Sequence, residues 1–191
     1  MNITLSVLIP SVPERMDFLS RMIQELSQQT QGMPVEILVL MDNKKSTIGA
    51  KRNLLLEQAK GEYIVFVDDD DRLVPNYVST LLTQIESTPD ADCIVFDVAV
   101  YFNGQFIKLC KYGKEYSNGQ DQFFYYRRPN HLMCYAKRIA SNHKFKDISG
   151  GEDDEWGGRV SEDIVNQIRI PAILYHYDCD LTKPPSWFNL S

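Results

Sequence analysis

Two periods of hydrophobicity alternate over the first hundred residues. Short, nearly continuous apolar runs occupy 5–9, 35–40, 63–67 and 93–100, as is typical of buried strands. Between these runs apolar residues recur every three or four positions, which predicts helices. The helical positions are Phe18, Leu19, Met22, Ile23 and Leu26; Leu54, Leu55 and Ala59; and Val78, Leu81, Leu82 and Ile85. Strands that alternate with helices in this way predict a parallel sheet covered on both faces.

Capping signals accompany the predicted helices. Ser11 and Glu14, with Pro13 between them, fit a capping box before the first helix. Gly61 is predicted to end the second helix in a left-handed conformation, and Pro75 to begin the third. We therefore expect helix boundaries at these three places.

The pattern changes after residue 100. Asn103-Gly104 lies between two β-prone runs and predicts a tight hairpin. Residues 112–149 are basic and aromatic with weak periodicity. A last strand is predicted at 172–175 after Pro171, and Pro184-Pro185 indicates an irregular tail. The second half is therefore expected to be smaller and less regular than the first.

Length and composition predict one globular domain over 1–191, since 43% of the 191 residues are hydrophobic and 24% are charged. The longest apolar runs, Ile37–Met41 and Tyr63–Val67, are too short to span a bilayer. Residues 1–4 carry no basic segment, so we expect no signal peptide and a cytoplasmic protein. The cysteines lack the paired spacing of a zinc or redox motif and are expected to be reduced and buried. They are Cys93, Cys110, Cys134 and Cys179.

Four consecutive carboxylates, Asp68–Asp71, directly follow the third predicted strand. Ligands of parallel sheets bind at the carboxyl ends of strands, and four adjacent carboxylates need a cation to offset their repulsion. Mg²⁺ or Mn²⁺ commonly binds one or two carboxylates together with substrate phosphates. The alternative is a solvated turn in which Asp71 caps a helix, but the position after a buried strand favours the metal.

A second acidic cluster spans Gly150–Trp156. Its glycines allow close approach of the chain to a ligand, and an apolar neighbour such as Trp156 can raise the pKa of a carboxyl toward neutrality. A general base needs such a pKa. An acidic helix start by itself more often compensates the helix dipole, so the catalytic interpretation depends on the presence of the first cluster.

Five segments, in this order, resemble family 2 glycosyltransferases of the GT-A fold. They are Ser6–Ser11, Glu36–Asp42, Lys51–Asn53, Gly61–Asp71 and Glu152–Asp153. The resemblance is closest through residue 80 and implies a Rossmann-like, open, mainly parallel α/β sheet with helices on both faces and a small antiparallel or irregular C-terminal part. Residues 1–100 would then bind a nucleotide sugar, and 101–191 would bind the acceptor and supply the catalytic base.

The resemblance also implies transfer of a sugar from a nucleoside-diphosphate sugar, with UDP favoured, by direct displacement with inversion and with Mn²⁺ or Mg²⁺. Asp70 matches the metal ligand, His176 a further ligand of some members, and Asp153, beside Glu152, the catalytic base. By position, donor binding falls to Pro10, Ser11, Glu14, Asp42, Lys51, Arg52, Asp68 and Asp69. The family often has Asp-Gly-Ser where this chain has Asp42-Asn43-Lys44, which leaves the contact with the nucleobase open.

The distribution of charge along the chain bears on the class of acceptor. The chain has 20 basic and 26 acidic residues, a net charge of −6, which disfavours a general polyanion binder. Residues 108–146, however, hold nine basic and two acidic residues. This segment is either a solvated surface or a groove for an anionic acceptor such as a phosphorylated glycan, a teichoic-type polymer or modified nucleic acid. The expected acceptor contacts are Trp156, Arg127, Arg128 and His131.

Three other functions are weighed against glycosyl transfer. A haloacid-dehalogenase-type phosphohydrolase would use Asp68 as nucleophile, but Arg72 stands where that motif has Thr or Val. A nucleotidyltransferase would need a glycine-rich phosphate loop, which 10–13 is not. A non-catalytic nucleotide- or sugar-binding module stays open.

Overall fold

The predicted alternation of strands and helices is present in the structure, a computed structural model that describes residues 2–179. The strands are β1 (Leu5–Ser11), β2 (Val35–Met41), β3 (Tyr63–Phe66), β4 (Arg72–Leu73), β5 (Cys93–Phe102), β6 (Gln105–Tyr112), β7 (Gly119–Gln120), β8 (Phe124–Arg127), β9 (Cys134–Ala136) and β10 (Gln167–Cys179). The helices are α1 (Met16–Gln29), α2 (Ile48–Gln58), α3 (Tyr77–Ser87), α4 (Lys137–Ala140) and α5 (Glu152–Val160).

The strands form one mixed sheet in the order β2-β1-β3-β9-β5-β6-β8-β7, and β10 pairs with β4 and β5. β1 is parallel to both β2 and β3, and β10 is parallel to β5. The short strand β9 pairs antiparallel with β3 and β5 and connects the two halves. The carboxyl ends of β1 and β3 therefore lie at one edge, where the acidic run begins.

Apolar residues of the central strands fill the core. Every residue of β1 and β3 is buried, because helices or neighbouring chain cover both faces of the sheet. β2 was also predicted to be buried, but it is half-exposed because it forms the edge of the sheet. The helices contribute their apolar faces, with Leu19, Met22 and Leu26 buried on α1.

Two of the predicted helix boundaries are wrong for steric and hydrogen-bonding reasons. Ser11 caps no helix; its Oγ donates to Asp69 Oδ2 at 2.5 Å. α2 ends at Gln58, before Gly61. Gly61 is instead required by close packing, since a Cβ there would lie 2.6 Å from the backbone nitrogen of Ser6.

The remaining local predictions are largely confirmed. Asn103 and Gly104 have φ values of 48° and 77°, the left-handed pair that a tight hairpin between β5 and β6 needs. The last strand is longer than 172–175, and its pairing with β5 is irregular around Pro171. All four cysteines are buried, and none of them forms a disulfide within residues 2–179. Pro184-Pro185 lies outside the described residues. No helix within 2–179 is long and apolar enough to cross a bilayer.

Candidate active site

A cavity of about 910 Å³ opens where β1 and β3 end. Both acidic clusters reach it, although they are about eighty residues apart along the chain. The predicted site residues that line it are Pro10, Ser11, Glu14, Lys51, Arg52, Asp68, Asp69, Asp70, Arg127, His131, Glu152 and Asp153. The fold thus assembles most of the predicted site in one place.

Arg15 offsets the charge of two of the four consecutive aspartates. Its guanidinium lies 2.8 Å from Asp69 and 3.1 Å from Asp70. Asp69 is buried and also accepts a hydrogen bond from Ser11, whereas the side chain of Asp70 keeps 32% exposure. Burial, together with the charges of Asp68 and Asp69, raises the pKa of Asp70 to about 6 against the opposing effect of Arg15. Asp70 is therefore the carboxylate of this pair that remains open to the cavity.

Asp71 anchors the acidic run to the core. It accepts hydrogen bonds from the Tyr175 hydroxyl at 2.7 Å and the Asp178 backbone amide at 2.9 Å. Burial, with the charges of Asp68 and Asp70, raises its pKa well above the ordinary value. Asp71 is thus neither solvated nor a helix cap.

Arg52 joins the two acidic clusters. Its guanidinium lies 3.1 Å from Asp68 and also bonds Glu152, and the side chains of Arg52 and Glu152 are both buried. The other carboxylate oxygen of Glu152 accepts a bond from the Gly150 amide at 2.7 Å. Because both oxygens of Glu152 are occupied, Asp153 is the better placed of the two predicted catalytic carboxylates; 31% of its side chain is exposed in the cavity.

His131 lies between the clusters. Its Nε2 is 3.1 Å from Asp68 Oδ2, and its Nδ1 is 3.5 Å from Asp153 Oδ2. Burial acts to raise the pKa of Asp68, but His131 and Arg52 outweigh it and hold that pKa well below its usual range. Asp68 is therefore ionised and has one protein partner on each carboxylate oxygen, and His131 is a buried wall of the cavity.

Lys51 forms an ion pair with the carboxylate of Asp42. Its Nζ lies 2.5 Å from Asp42 Oδ1 and donates to the Ser11 carbonyl at 2.8 Å. This lysine is the main cause of the lowered pKa of Asp42. Asp42 also accepts from the Ser46 amide and does not line the cavity, whereas Lys44 and Ser46 do.

Trp156 and His176, like Asp42, are absent from the lining of the cavity. Trp156 is fully buried, stacks on Phe145 with ring centres 4.5 Å apart, and donates to the His143 carbonyl. The prediction that Trp156 contacts an acceptor is therefore wrong, because this residue belongs to the core-facing side of α5. His176 packs 5.5 Å from the ring of Tyr101 and is absent from the cavity lining, so it is not grouped with Asp70.

The basic segment 108–146 does not form one surface. Arg138 pairs at 2.6 Å with Asp92 at the start of β5, away from the strand ends that open into the cavity. Lys146 pairs with Glu155, and Lys144 lies 3.7 Å from Glu57. Of the nine basic residues, Arg127 lines the cavity, and Arg128 lines a smaller one beside it.

The donor atoms suit a divalent ion shared with a ligand. No group of three or more His, Cys, Asp or Glu within residues 2–179 is arranged to hold a metal. Asp70 offers a carboxylate, and Mg²⁺ or Mn²⁺ commonly completes its coordination with water and substrate phosphates. An ion that binds together with a diphosphate would therefore be compatible with these residues, and Asp70 is the carboxylate that would be available to it.

Arg15 is the functional candidate that sequence reasoning missed. It follows the end of β1 by only a few residues, but no local motif marks it. The repulsion within Asp68–Asp71 did predict a nearby cation. Arg15 supplies part of that charge, which only the fold reveals.

Comparisons with known proteins give a consistent fold. A crystal structure of S. aureus TarS 1–349 in complex with UDP-GlcNAc is 13% identical, with a TM-score of 0.66 over 98% of this chain and 61% of that chain. The complex of TarS 1–349 with UDP is 14% identical, with a TM-score of 0.66 over 92% of this chain and 60% of that chain. The chain thus spans less than two thirds of these structures, and at this identity the likeness shows the fold alone. A search of curated proteins finds no match.

The sequence itself matches a family model. The model described as Glycosyl transferase family 2 covers residues 16–148, which is more than half of the chain and includes the acidic run Asp68–Asp71 and His131. The haloacid-dehalogenase alternative is therefore wrong. With its α/β sheet of GT-A type, the chain belongs to glycosyl transferase family 2.

Proposed function

We propose that this chain transfers a sugar from a UDP-sugar to a hydroxyl group of an acceptor, with a divalent ion and with inversion at the anomeric carbon. One observation carries the proposal: a single cavity is lined by Asp68–Asp70 at the end of β3 and by Asp153 at the start of α5. Direct displacement needs carboxylates on the two opposite sides of the reacting carbon. On one side they bind the metal that accompanies the donor diphosphate, and on the other side one takes the proton of the attacking hydroxyl. Family membership and the UDP-GlcNAc and UDP complexes of TarS support the donor class.

The donor is proposed to bind across the ends of β1 and β3. Pro10 and Ser11 line the cavity there, next to Lys44 and Ser46 from the turn after β2. Lys51 contacts both Asp42 and the Ser11 carbonyl, so it fixes the position of Ser11 relative to Asp42, which directly follows β2. Asp68 is fixed by Arg52 and His131 and can accept hydrogen bonds from ribose or sugar hydroxyls.

Asp70 is proposed to hold Mn²⁺ or Mg²⁺ together with the diphosphate. When bound, the ion supplies positive charge that stabilises the departing nucleoside diphosphate. Arg15 lies within reach of the same carboxylates and adds positive charge at this side of the cavity. His176 is not proposed as a ligand, because it packs on Tyr101 outside the cavity lining.

Asp153 is proposed as the general base. It takes the proton of the acceptor hydroxyl while that oxygen forms a bond to the anomeric carbon and the bond from this carbon to the diphosphate oxygen breaks. The proton ends on Asp153 and the electron pair leaves with the diphosphate, so no protein nucleophile is needed. Glu152 is proposed to position α5 through its contact with Arg52, not to take the proton.

The acceptor is proposed to carry the attacking hydroxyl near Asp153. Arg127 and Arg128 remain candidates for contacts with an anionic acceptor such as a glycan phosphate or nucleic acid. The other basic residues of 108–146 give this idea little support, because their pairings lie on several parts of the surface.

Calorimetric titration of UDP, with and without Mn²⁺, tests the donor proposal. We expect Mn²⁺-dependent binding to the wild-type chain and its loss in Asp70→Asn, with unchanged melting without ligand. Asp90→Asn is the matched control, since it removes an acidic group outside the cavity lining. UDP binding that ignores Mn²⁺ would contradict the metal role. Donor binding without transfer to any hydroxyl compound would instead favour the non-catalytic binding module.

A further inference from the structure

A second cavity of about 270 Å³ adjoins the first. The two share Asn130 and Asp154, and Asp154 directly follows the proposed base Asp153 on α5. A molecule that presents a hydroxyl to Asp153 can therefore extend past Asp154 into this second space. Nothing in the donor-binding proposal uses it.

The lining of the second cavity suits a hydroxylated, uncharged ligand. Its side chains are those of Ser117, Asn118, Arg128, Asn130 and Asp154, so every described side chain that lines it is polar. One cation and one anion give it no net charge, which suits neither an acyl chain nor a polyanion. Amide side chains can both donate to and accept from sugar hydroxyls, and a carboxylate can accept from them.

The polar groups at its rim are weakly engaged. Asn118 reaches Asp154 at 3.5 Å and accepts from the Arg128 amide at 3.3 Å, both long for hydrogen bonds. Burial, with the charge of Asp153, raises the pKa of Asp154. These groups therefore keep hydrogen-bonding capacity for a ligand. The volume of about 270 Å³ lies just below that of pockets for drug-sized molecules, so the cavity suits a smaller ligand.

Two consecutive glycines on α5 complete the lining. A Cβ at Gly157 would lie 2.7 Å from the Pro129 carbonyl, so packing explains this glycine. At Gly158 no heavy atom lies within 4 Å of an added Cβ, although glycine weakens a helix. Packing within the chain therefore does not require Gly158, and a side chain there would project into the open space that this residue lines.

We propose that the second cavity is an acceptor subsite that binds one neutral sugar unit, next to the unit whose hydroxyl faces Asp153. This inference rests on the proposed glycosyl transfer and narrows its acceptor to a glycan or glycoside with at least two units. Asn118 and Asp154 contact the hydroxyls of the bound unit, and Gly158 leaves room for its ring.

The test uses the full chain saturated with UDP and Mg²⁺. Methyl glycosides of glucose, galactose and N-acetylglucosamine are titrated while the amide resonances of Gly157 and Gly158 are followed by NMR. We expect at least one glycoside to shift both resonances. Gly158→Ala should weaken that binding at least tenfold, with a melting temperature equal to or above that of the wild type, because alanine favours the helix. Glu162→Ala, just beyond α5 and outside both cavities, is the control and should bind like the wild type.

Different failures separate the two proposals. If UDP does not bind the wild-type chain, the glycosyl transfer proposal fails and this inference fails with it. If UDP binds but no glycoside shifts these resonances, or if Gly158→Ala binds as tightly as the wild type, only the subsite is overturned. Binding of an oligothymidylate instead, weakening steeply with salt and unaffected by Gly158→Ala, would also overturn it and point to an anionic acceptor.

Discussion

At the scale of single residues, Glu152 and Asp153 are adjacent carboxylates with different surroundings. Both oxygens of Glu152 are engaged, by Arg52 and by the Gly150 amide. Asp153 has His131 Nδ1 at 3.5 Å and otherwise faces the cavity. A proton acceptor must reach its substrate, so accessibility favours Asp153, the residue that the family resemblance also implies as the base.

Asp153→Asn should slow turnover about 10²- to 10⁴-fold, the usual loss for a general base. UDP affinity should change little, since the substitution keeps the shape of the side chain. The measurement is initial-rate release of UDP from UDP-GlcNAc with a hydroxyl acceptor, alongside UDP titration by calorimetry. Asp154→Asn serves as the neighbouring control and should raise the acceptor Michaelis constant more than it lowers kcat. Near wild-type turnover in Asp153→Asn would exclude Asp153 as the base.

Secondary structure elements differ in how far the sequence predicts them. The strands β1, β3 and β5 were predicted because continuous apolar runs reflect burial on both faces. β9 has three residues, too few to show a period, and its position between β3 and β5 is a tertiary property. The acidic run was predicted as part of the site from its place after a strand.

The direction of a side chain is less predictable than its place in an element. Trp156 and His176 lie on elements that reach the site, but their side chains point elsewhere. Trp156 packs on Phe145, and His176 packs on Tyr101. Arg15 shows the converse, because it joins the site without any motif. The direction of a side chain depends on contacts between segments that are distant in the sequence, and a single sequence does not show these contacts.

Asp92 ties three elements together: the start of β5, helix α4 and the turn before β10. It accepts from the amides of Val165 and Asn166 at 2.7 Å each and pairs with Arg138 at 2.6 Å. Burial acts to raise the pKa of Asp92, but these amides and Arg138 outweigh it and lower the pKa below the ordinary 3.8. The ionised form therefore stabilises the fold above that pH, and the stabilisation is lost as pH falls through the lowered value.

Asp92→Asn should lower the free energy of unfolding at pH 7 by about 1–3 kcal/mol, since buried amides lose a charged acceptor. The difference from the wild type should shrink as pH falls below about 4, where the carboxylate becomes protonated. Urea unfolding at pH 7 and pH 3 measures both effects, with Asp17→Asn on the exposed face of α1 as the control. A destabilisation that is equal at the two pH values would show that the charge of Asp92 is not its cause.

At the scale of the whole molecule, the buried contact between Arg52 and Glu152 links two segments that are 100 residues apart, and Arg52 also reaches Asp68. Removing one partner leaves a buried charge unpaired, at a cost of about 3–5 kcal/mol. A double-mutant cycle of Arg52→Met and Glu152→Gln should therefore give a coupling energy of about 2–3 kcal/mol by urea unfolding. Lys144→Met with Glu57→Gln forms the control cycle, because that pair is exposed and 3.7 Å apart, and its coupling should stay below about 1 kcal/mol.

Arg52→Met should also weaken UDP binding, since Asp68 loses one of its two fixed partners. Equal coupling in both cycles would mean that the buried pair stabilises the fold no more than an exposed pair does, with Arg52 serving only the donor side of the cavity.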